Sequence, residues 1–421
     1  MIQEKEDRKS GKSPKWLWIL LMLILLAGVS FFSFNAGRNA GSASHAASAL
    51  TEPDPAESTG TGLESSREEI FEKLSIFDMY VDNYYLNDVD EEKVVDGIYD
   101  GYLKGLDDPY AEYYSEKEYK DLMEEDSGEY QGIGVLIYED PDTGYPTIDG
   151  VFRDSPAFKA GIQVGDRIIS VNDRETIDMD LQEVVNEIRR SDRKTADLKI
   201  YRDGNVKEFT VKKEKVQIET VEYEMKDNQV GYIAVTQFID NTDELFEKAL
   251  KDLSKQKMKG LIIDLRNNGG GLVNTCTNML SRIVPEGDLL VYTQDKQGNR
   301  NEYKSTSKAT VDVPIVILVN GNSASASEIM TGCLKDYKLA TIVGSKTYGK
   351  GIVQNIFPLS DGTALKFTTA KYYTPNGKNI HEIGIEPDIK VELDDEAYRE
   401  ALEDESKDPQ LNKAREILTK Q

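Results

Sequence analysis

Two short stretches of the chain combine small residues with polar side chains of the kind that perform acyl-transfer chemistry. Residues 264–271 read DLRNNGGG, and residues 319–328 read VNGNSASASE. Each stretch follows an apolar, strand-like run, and the second leads into an amphipathic, helix-like segment. Ligands of α/β proteins gather where strands end and helices begin. The sharpest chemical hypothesis is therefore a nucleophilic serine in the second stretch, with a glycine amide of the first as an oxyanion donor.

Each stretch also has a purely structural explanation. Ser325 and Glu328 have the spacing of a helix capping box, in which both side chains bind backbone amides at the start of a helix. The glycines could form a tight turn, and their spacing matches neither nucleotide-binding fingerprint. Taken alone, the pattern favours a cap for Ser325. A serine at this position is also well placed for catalysis, because the next amide, that of Ala326, can stabilise an oxyanion.

A serine nucleophile needs a general base, and histidine is scarce in this chain. Only His45 and His381 occur, and His45 lies among small residues that cannot form a core. Lysine is the remaining option. Its ordinary pKa is about 10.4, so a lysine base must be desolvated to be neutral at pH 7. Lys350 lies in YGKGIV, where the flanking glycines and the apolar continuation permit burial. Most lysines are solvated surface groups, so the local pattern alone leaves its role open.

Composition excludes several other functions. The chain has 421 residues, a formal net charge of -25 and a pI near 4.6, which argues against a nucleic-acid partner. Its length predicts two or three domains. Cys276 and Cys333 are the two cysteines and lie in apolar contexts, which excludes a disulfide framework and makes a zinc site implausible.

The amino-terminal part predicts a membrane anchor. Residues 1–15 carry five basic side chains, and the next 19 residues, Trp16 to Phe34, contain no charge, which is enough to span a bilayer as a helix. The basic flank predicts that the amino terminus stays in the cytoplasm, with the bulk of the chain on the extracytoplasmic side of the cell membrane as a single-pass protein. A cleavable signal peptide is the alternative, because small residues near position 43 could form a cleavage site.

The remaining chain divides by composition and by the period of its apolar residues. The predicted organisation is a cytoplasmic segment (1–15), a transmembrane anchor (16–36), a flexible linker (37–65), a helical arm with a possible dimerisation role (66–125), a block of short strands (126–215), a core in which strands alternate with helices (216–394) and a peripheral helical segment (395–421). The arm has apolar residues at helical spacing, for example Ile70, Leu74, Phe77 and Val81.

The block from 126 to 215 contains short strands, a helix that opens at Ser155-Pro156 and ends at Gly161, and a hairpin with Asp203-Gly204 at its turn. It resembles a PDZ domain, and SPAFKAGIQVGDRIISVN is the specific part of the likeness. The resemblance implies that a peptide is added to a sheet edge and that its terminal carboxylate is held by backbone amides. The implied peptide-binding residues are Gly132, Ile133, Gly134 and Val135. An ordinary tight turn is the structural alternative for the two glycines.

Beyond residue 216, strands alternate with helical runs of ten to fifteen residues, which predicts an α/β layered core. This part closely resembles the C-terminal processing, or tail-specific, peptidases, which are serine proteases with a Ser–Lys dyad. The matching motifs, in their family order, are DLRNNGGG, VNGNSASASEI, the lysine of TYGKGIVQ, and IHEIGIEPDIKVEL. The resemblance implies a crotonase/Clp-protease-like α/β protease core beside the PDZ domain, the helical amino-terminal arm and the transmembrane helix.

The resemblance also implies a role for individual residues. The middle serine of SASAS, Ser325, would be the nucleophile, and Lys350 its base. Gln354 matches a residue that orients the lysine in some members, and Asp336 an acidic position implicated in others, so the third partner stays open. Oxyanion donors would be the amides of Gly271 and Ala326. Arg189 lies where some members use an arginine to couple PDZ movement to the active site.

The implied function is that of an endopeptidase that captures the free C-termini of protein or peptide substrates and cleaves them through an acyl-enzyme. The resemblance implies neither a metal nor an organic cofactor, and we expect a homo-oligomer, most simply a dimer. Two alternatives are a catalytically silent PDZ scaffold and an acyl-CoA-type enzyme on a related α/β core.

Overall fold

The computed structural model describes residues 66–420 apart from 142, 191, 394–396, 398–399 and 402–403. The predicted cytoplasmic segment, anchor and linker, with His45, lie outside this range. None of the helices within it is long and apolar enough to cross a membrane. The described chain forms two units. The first comprises Met123–Ile352 and the chain from Lys371 onward, and the second comprises residues 66–122 and Val353–Ala370.

The helices, in chain order, are α1 (Arg67–Tyr84), α2 (Glu91–Lys104), α3 (Glu116–Ser127), α4 (Pro156–Ala160), α5 (Leu181–Arg189), α6 (Thr242–Lys255), α7 (Val273–Leu280), α8 (Ala326–Asp336) and α9 (Pro409–Thr419). The strands are β1 (Glu112–Tyr114), β2 (Glu129–Gly132), β3 (Val135–Glu139), β4 (Pro146–Val151), β5 (Arg167–Val171), β6 (Arg174–Glu175), β7 (Thr195–Arg202), β8 (Asn205–Lys212), β9 (Glu214–Gln217), β10 (Val221–Lys226), β11 (Val230–Val235), β12 (Gly260–Asp264), β13 (Leu289–Asp295), β14 (Arg300–Lys304), β15 (Ile315–Val319), β16 (Ala340–Gly344), β17 (Ile352–Pro358), β18 (Ala364–Tyr373) and β19 (Ile389–Lys390).

A six-stranded sheet forms the centre of the first unit. Its strand order is β10-β11-β12-β15-β16-β19, and every pair is parallel except the antiparallel β10–β11 pair at one edge. All residues of β12 and β15 are buried, as expected for central parallel strands covered on both faces. Because the strands are parallel, the ends of β12 and β15 lie at the same edge of the sheet. That edge carries both of the stretches singled out for chemistry.

The carboxyl-terminal segment departs from its prediction. We expected a peripheral helix, but Leu411 and Ala414 of α9 are buried in a cluster with sheet residues such as Ile262 and Val316. The prediction was wrong because the segment is mostly polar, whereas four of its apolar residues pack in this one cluster, where Ile417 and Leu418 are partly buried beside Leu411 and Ala414. Arg266 also reaches this helix, since its guanidinium binds Asp408, the N-cap residue of α9, at 2.8 Å.

The PDZ part of the first unit has its own sheet, with strand order β3-β4-β5-β7-β8. Its local signals predicted the turns and the helix correctly. Ser155 caps α4 by accepting a hydrogen bond from the amide of Phe158, Gly161 ends that helix in the left-handed conformation, and Asp203-Gly204 turns the β7–β8 hairpin with positive φ at both residues.

The second unit is built from α1, α2, β1, β17 and most of β18. Strand β1 pairs antiparallel with β18, and the carboxylate of Glu112 pairs with the buried amine of Lys366. Helix α1 buries none of its residues, although it is rich in apolar side chains. The exposed apolar residues of α1 and α2 include Ile70, Phe71, Ile76, Phe77, Met79, Tyr80, Val81, Tyr84, Val94, Val95, Ile98, Tyr99 and Tyr102.

Candidate active site

The three serines between β15 and α8 differ in their hydrogen bonding. All three are completely buried. The Ser323 hydroxyl donates to the carbonyl of Leu265 at 2.7 Å, and the Ser327 hydroxyl donates to the carbonyl of Asn268 at 2.9 Å. The Oγ of Ser325 has no hydrogen-bond partner among the described residues. Ser325 is therefore the serine of this group whose hydroxyl is not engaged in holding the fold.

Ser325 also has an unusual backbone. Its φ of 62° and ψ of -114° lie outside the regions that L-residues readily adopt, and such a residue costs about 1–3 kcal/mol. The nucleophiles of α/β hydrolases occupy a comparable strained turn between a strand and a helix. In a capping box, the hydroxyl of Ser325 would accept a hydrogen bond from the amide of Glu328. Here that amide donates instead to the main-chain oxygen of Ser325, at 2.9 Å. The hydroxyl is thereby left out of the cap.

Glu328 binds both predicted catalytic segments through one carboxylate. Its Oε2 accepts from the amides of Ser325 (2.9 Å) and Lys350 (2.8 Å), and its Oε1 accepts from the amide of Gly349 (2.8 Å) and the hydroxyl of Thr347 (2.6 Å). The main-chain nitrogens of Ser325 and Lys350 thus lie within hydrogen-bond distance of a single oxygen atom. The sequence predicted a cap at Glu328 but not this second function.

Burial raises the pKa of Glu328, and the hydrogen bonds from Thr347 and from the three amides oppose that rise. Four donors to two oxygens can all be accepted only by an ionised carboxylate, since a protonated one would itself have to donate. The network therefore contains a desolvated negative charge beside the segment that carries Lys350.

Lys350 is buried, with 5% of its surface exposed. The segment around it packs closely on residues 381–384. A Cβ atom on Gly351 would lie 2.4 Å from the nitrogen of His381, so only glycine fits there. The amide of Glu382 also donates to the carbonyl of Gly349 at 2.8 Å. The glycines beside Lys350 thus serve the close packing that keeps this segment out of water.

The glycine turn after β12 packs directly on Ser325. Asn268 fixes it, because its Oδ1 accepts from the amide of Gly270 at 2.8 Å while its Nδ2 donates to the carbonyl of Val235, also at 2.8 Å. Gly270 has φ of +109°, and a Cβ atom there would lie 2.7 Å from the Cβ of Ser325 and 3.0 Å from the nitrogen of Ala326. Asn268 was not singled out from the sequence, where it is one of two adjacent asparagines.

The predicted oxyanion donors lie on these two elements. Ala326 is the first residue of α8, a position whose amide has no acceptor within its own helix. Gly271 follows Gly270, and its backbone pairs with that of Phe238 as an isolated bridge. Gly270, rather than Gly271, makes the close approach to Ser325.

The PDZ part offers an open sheet edge. Strand β3 is the terminal strand of its sheet, and α5 packs beside it, with Val184 and Ile188 in the same core cluster as Ile137. The segment before β3 is tied to the start of α4, because Ile133 O accepts from the amide of Ala157 at 2.8 Å. An edge strand beside a helix is the geometry that accepts an extended peptide by strand addition.

Two further contacts concern the predicted peptide-binding residues. Gly134 has a positive φ and its carbonyl accepts from the Ser155 hydroxyl at 3.2 Å. Arg189, the last residue of α5, lies with its guanidinium carbon 4.5 Å from the ring centroid of Tyr130, a cation–π contact. A Cβ atom on Gly132 would meet the same ring, so Tyr130 lies close to both Gly132 and Arg189.

Comparison with known proteins identifies the family. The model of Peptidase family S41 matches residues 229–391, a PDZ domain model matches residues 147–202, and the model of the Activating protease CtpB N-terminal domain matches residues 24–118. A "Probable CtpA-like serine protease" of Staphylococcus haemolyticus (strain JCSC1435) is 34% identical over 394 residues, which cover 92% of this chain and 75% of that protein. The chain belongs to the C-terminal processing peptidases of family S41.

A second curated relative agrees with this assignment. The "Carboxy-terminal processing protease CtpB" of Bacillus subtilis (strain 168) is 35% identical over 338 residues, covering 79% of this chain and 70% of that protein. Among solved structures, the "Photosystem II D1 C-terminal processing protease" has 30% sequence identity and a TM-score of 0.45, covering 76% of this chain and 86% of that one. The resemblance based on the motifs is confirmed. The chain is a serine-type peptidase with a PDZ domain, and its substrates are peptides.

The structure also places the other candidate residues of the sequence analysis, Asp336, Gln354 and His381. Asp336 is the last residue of α8, about 16 Å of helix rise from the serine, and its carboxylate accepts from the amide of Asn376 at 2.9 Å. Gln354 is buried in the second unit, where its Nε2 donates to the hydroxyl of Thr368 at 3.2 Å. His381 contributes the backbone that packs on Gly351.

An ion-pair cluster supports the base of the glycine turn. The guanidinium of Arg266 binds Asp264 at 2.6 Å in addition to Asp408, and the Tyr232 hydroxyl donates to Asp264 at 2.9 Å. The two carboxylates raise the pKa of Arg266 against the effect of burial, so its charge is permanent. This cluster fixes the end of β12, immediately before Asn268.

Proposed function

We propose that this peptidase is a membrane-anchored endopeptidase that recognises substrate C-termini through its PDZ domain and cleaves them with a Ser325–Lys350 dyad. The observation that carries the proposal is the state of the three buried serines, of which Ser325 has a hydroxyl with no partner among the described residues. The carboxylate of Glu328 binds the amides of both Ser325 and Lys350, and this shared contact supports Lys350 as the general base for Ser325.

In the proposed reaction, the neutral amine of Lys350 takes the proton of the Ser325 hydroxyl while Oγ attacks the scissile carbonyl carbon. The negative charge on the carbonyl oxygen is stabilised by the amides of Ala326 and Gly271 and by the positive end of α8. Lys350 then gives its proton to the leaving amine as the C–N bond breaks, which leaves an acyl ester on Ser325. Water, deprotonated by Lys350, hydrolyses the ester and restores both residues.

Burial of the site supports a role for lysine as a base. Removing an amine from water favours its neutral form, which is the form that accepts a proton. We assign Gln354 the orientation of Lys350, with Asp336 as the alternative third partner. The position of Asp336 at the far end of α8 favours Gln354.

Peptide capture would use the edge of β3 together with residues 132–135, whose backbone amides would hold the terminal carboxylate. Arg189, held on the Tyr130 ring next to Gly132, would add positive charge to the subsite and couple peptide binding to the active site. Because Ser325 is completely buried, substrate entry requires movement, and we assign that movement to the PDZ domain.

Anchoring and assembly complete the proposal. The uncharged run from Trp16 to Phe34 would place the enzyme in the cell membrane as a single-pass protein with its peptidase domain outside the cytoplasm. The exposed apolar face of α1 and α2 supports self-association into a dimer, because soluble surfaces rarely leave so many large apolar side chains in water. Replacing Phe71 and Phe77 by aspartate should convert the dimer to a monomer in light scattering, and an unchanged mass would contradict this assembly.

The dyad is tested with purified full-length enzyme, a peptide with an apolar C-terminus and an alkyl fluorophosphonate that labels reactive serines. Ser325→Ala should fold normally and lose both cleavage and labelling. Lys350→Ala should do the same, whereas Lys346→Ala, a half-exposed lysine of the same segment, should stay active. Retained turnover by Ser325→Ala would refute the nucleophile. Rescue of Lys350→Ala by raising the pH would count against a buried lysine base.

A further inference from the structure

The strained peptide that follows Ser325 is held from two sides. On its amino side, the Ser325 amide is bound by Glu328. On its carboxyl side, the Ser325 carbonyl accepts the amides of Glu328 and Ile329, both at 2.9 Å, as expected where a helix begins. The same carbonyl accepts a further hydrogen bond, from the hydroxyl of Tyr372 at 3.2 Å. No helix start requires this third donor.

Tyr372 is completely buried, so its hydroxyl depends on this partner. Burial raises the pKa of Tyr372 well above its ordinary value, and the negative charge of Glu328 raises it further. The phenol therefore keeps its proton throughout the range in which the enzyme works, and it remains a donor to the Ser325 carbonyl.

The backbone of Tyr372 is tied to the segment that carries Lys350. Its amide donates to the carbonyl of Gly351 at 3.1 Å. Asn379 reinforces this link, because its Nδ2 donates both to Gly351 O at 3.0 Å and to Tyr372 O at 2.7 Å. One residue thus connects the carbonyl of Ser325 with the residue that follows Lys350.

The Ser325 carbonyl and the Ala326 amide belong to the same peptide group. A trans peptide is planar, so its C=O and N–H bonds point in opposite directions, and fixing the oxygen fixes the direction of the N–H. A hydrogen bond to the carbonyl also polarises the group and strengthens the N–H as a donor.

We propose that Tyr372 is a positioning residue of the oxyanion hole, whose hydroxyl orients the Ser325–Ala326 peptide so that the Ala326 amide points at the developing oxyanion. The proposal rests on the proposed role of Ser325 as nucleophile. Tyr372 touches neither substrate nor the reacting atoms and acts through the peptide group.

Tyr372→Phe removes the hydroxyl and keeps the ring, and Tyr373→Phe is its matched control, since the neighbouring ring stacks instead on Tyr292 at 4.9 Å. We expect kcat for a peptide substrate to fall about tenfold in Tyr372→Phe, a partial loss of the stabilisation that one oxyanion donor supplies, with KM unchanged. Tyr373→Phe should match the wild-type enzyme. If Tyr372→Phe is less stable, the rates of the variant and of the wild-type enzyme are compared at a temperature well below the unfolding midpoint of the variant.

A second measurement distinguishes a role of Tyr372 in the oxyanion hole from a purely structural role. A peptide boronate forms a tetrahedral adduct on serine and so requires the oxyanion hole, whereas a non-cleavable peptide bound by the PDZ domain does not. In Tyr372→Phe, boronate affinity should fall by the same factor as kcat/KM, and affinity for the non-cleavable peptide should be unchanged. Equal boronate affinity in Tyr372→Phe and wild type would overturn the proposal. If wild-type enzyme fails to react with fluorophosphonate at Ser325, the dyad itself is wrong, which is a different result.

Discussion

Replacing Gly270 by alanine tests whether the glycine turn supports the nucleophile. The added methyl group would lie 2.7 Å from the Cβ of Ser325, 2.9 Å from the carbonyl oxygen of Ala324 and 3.0 Å from the nitrogen of Ala326. These contacts are closer than carbon atoms tolerate, and two of the three atoms belong to the backbone, which cannot rotate away. The substitution must therefore move the turn, the start of α8, or both.

The expected loss of stability has two parts. Alanine at a φ of +109° is strained by about 1–2 kcal/mol, because its Cβ approaches the carbonyl oxygen that follows. The overlap with Ser325 and its neighbours adds about 1–3 kcal/mol, the usual cost of overpacking a core. Gly287→Ala provides a matched control, since Gly287 has a φ of +89° and no heavy atom lies within 4 Å of the position that an added Cβ would occupy. Gly287→Ala should therefore lose the stability that backbone strain costs, but not the further stability that steric overlap costs.

Urea unfolding of the full-length protein measures both stability losses, and the rate of fluorophosphonate labelling measures the geometry of Ser325. We expect Gly270→Ala to be less stable than Gly287→Ala by about 1–3 kcal/mol and to be labelled about 10- to 100-fold more slowly, because displacements near 1 Å cost up to that factor. Gly287→Ala should be labelled at the wild-type rate. Equal stability and equal labelling in the two variants would refute the packing argument.

Three further substitutions test the surrounding network. Asn268→Asp should destabilise the protein by about 2–4 kcal/mol at neutral pH and by less at acid pH. A carboxylate cannot donate a hydrogen bond to the carbonyl of Val235, whereas a protonated carboxyl can. A loss of stability that does not change with pH in urea unfolding would contradict this. Burial raises the pKa of Glu328 above its unfolded value, so its contribution to the free energy of unfolding grows as pH falls through the raised pKa. The stability of wild type relative to Glu328→Gln should therefore increase as pH is lowered from neutral, and a flat difference would show that Glu328 is not perturbed. Asp336→Asn should keep kcat within about twofold of wild type, since its carboxylate accepts the amide of Asn376 at the far end of α8, and a large loss of kcat would restore Asp336 as the third partner.

Much of the fold could be predicted because its signals are local. The Ser155-Pro156 helix start, the Asp203-Gly204 hairpin and the buried strand ending at Asp264 each depend on a few consecutive residues. The edge strands β10 and β14 were not predicted, because VEYEMK and RNEYK contain too many charged residues to indicate strands. Their pairing is supplied by the neighbouring strand and not by their own composition.

The active site, too, could be predicted only where its signals are local. Ser325, Lys350 and the glycine turn could be named from motifs, but the contacts that position them join residues far apart in the sequence. Glu328 reaches Lys350 across 22 positions, and Tyr372 reaches Ser325 across 47. No periodicity or spacing rule records such a contact, because it exists only once the α/β core has folded.

The backbone of Ser325 explains how one serine can begin a helix and still offer a nucleophile. An ordinary N-cap serine has an extended backbone, and its hydroxyl accepts a hydrogen bond from the helix. At φ of 62° the main-chain oxygen of Ser325 accepts the amides of Glu328 and Ile329 instead, and the hydroxyl has no partner within the described chain. The strain of that conformation must be balanced by the groups that hold the residue on both sides. The Glu328 carboxylate binds its amide and the Tyr372 hydroxyl binds its carbonyl, so these two residues hold Ser325 in the conformation in which its hydroxyl takes no part in the cap.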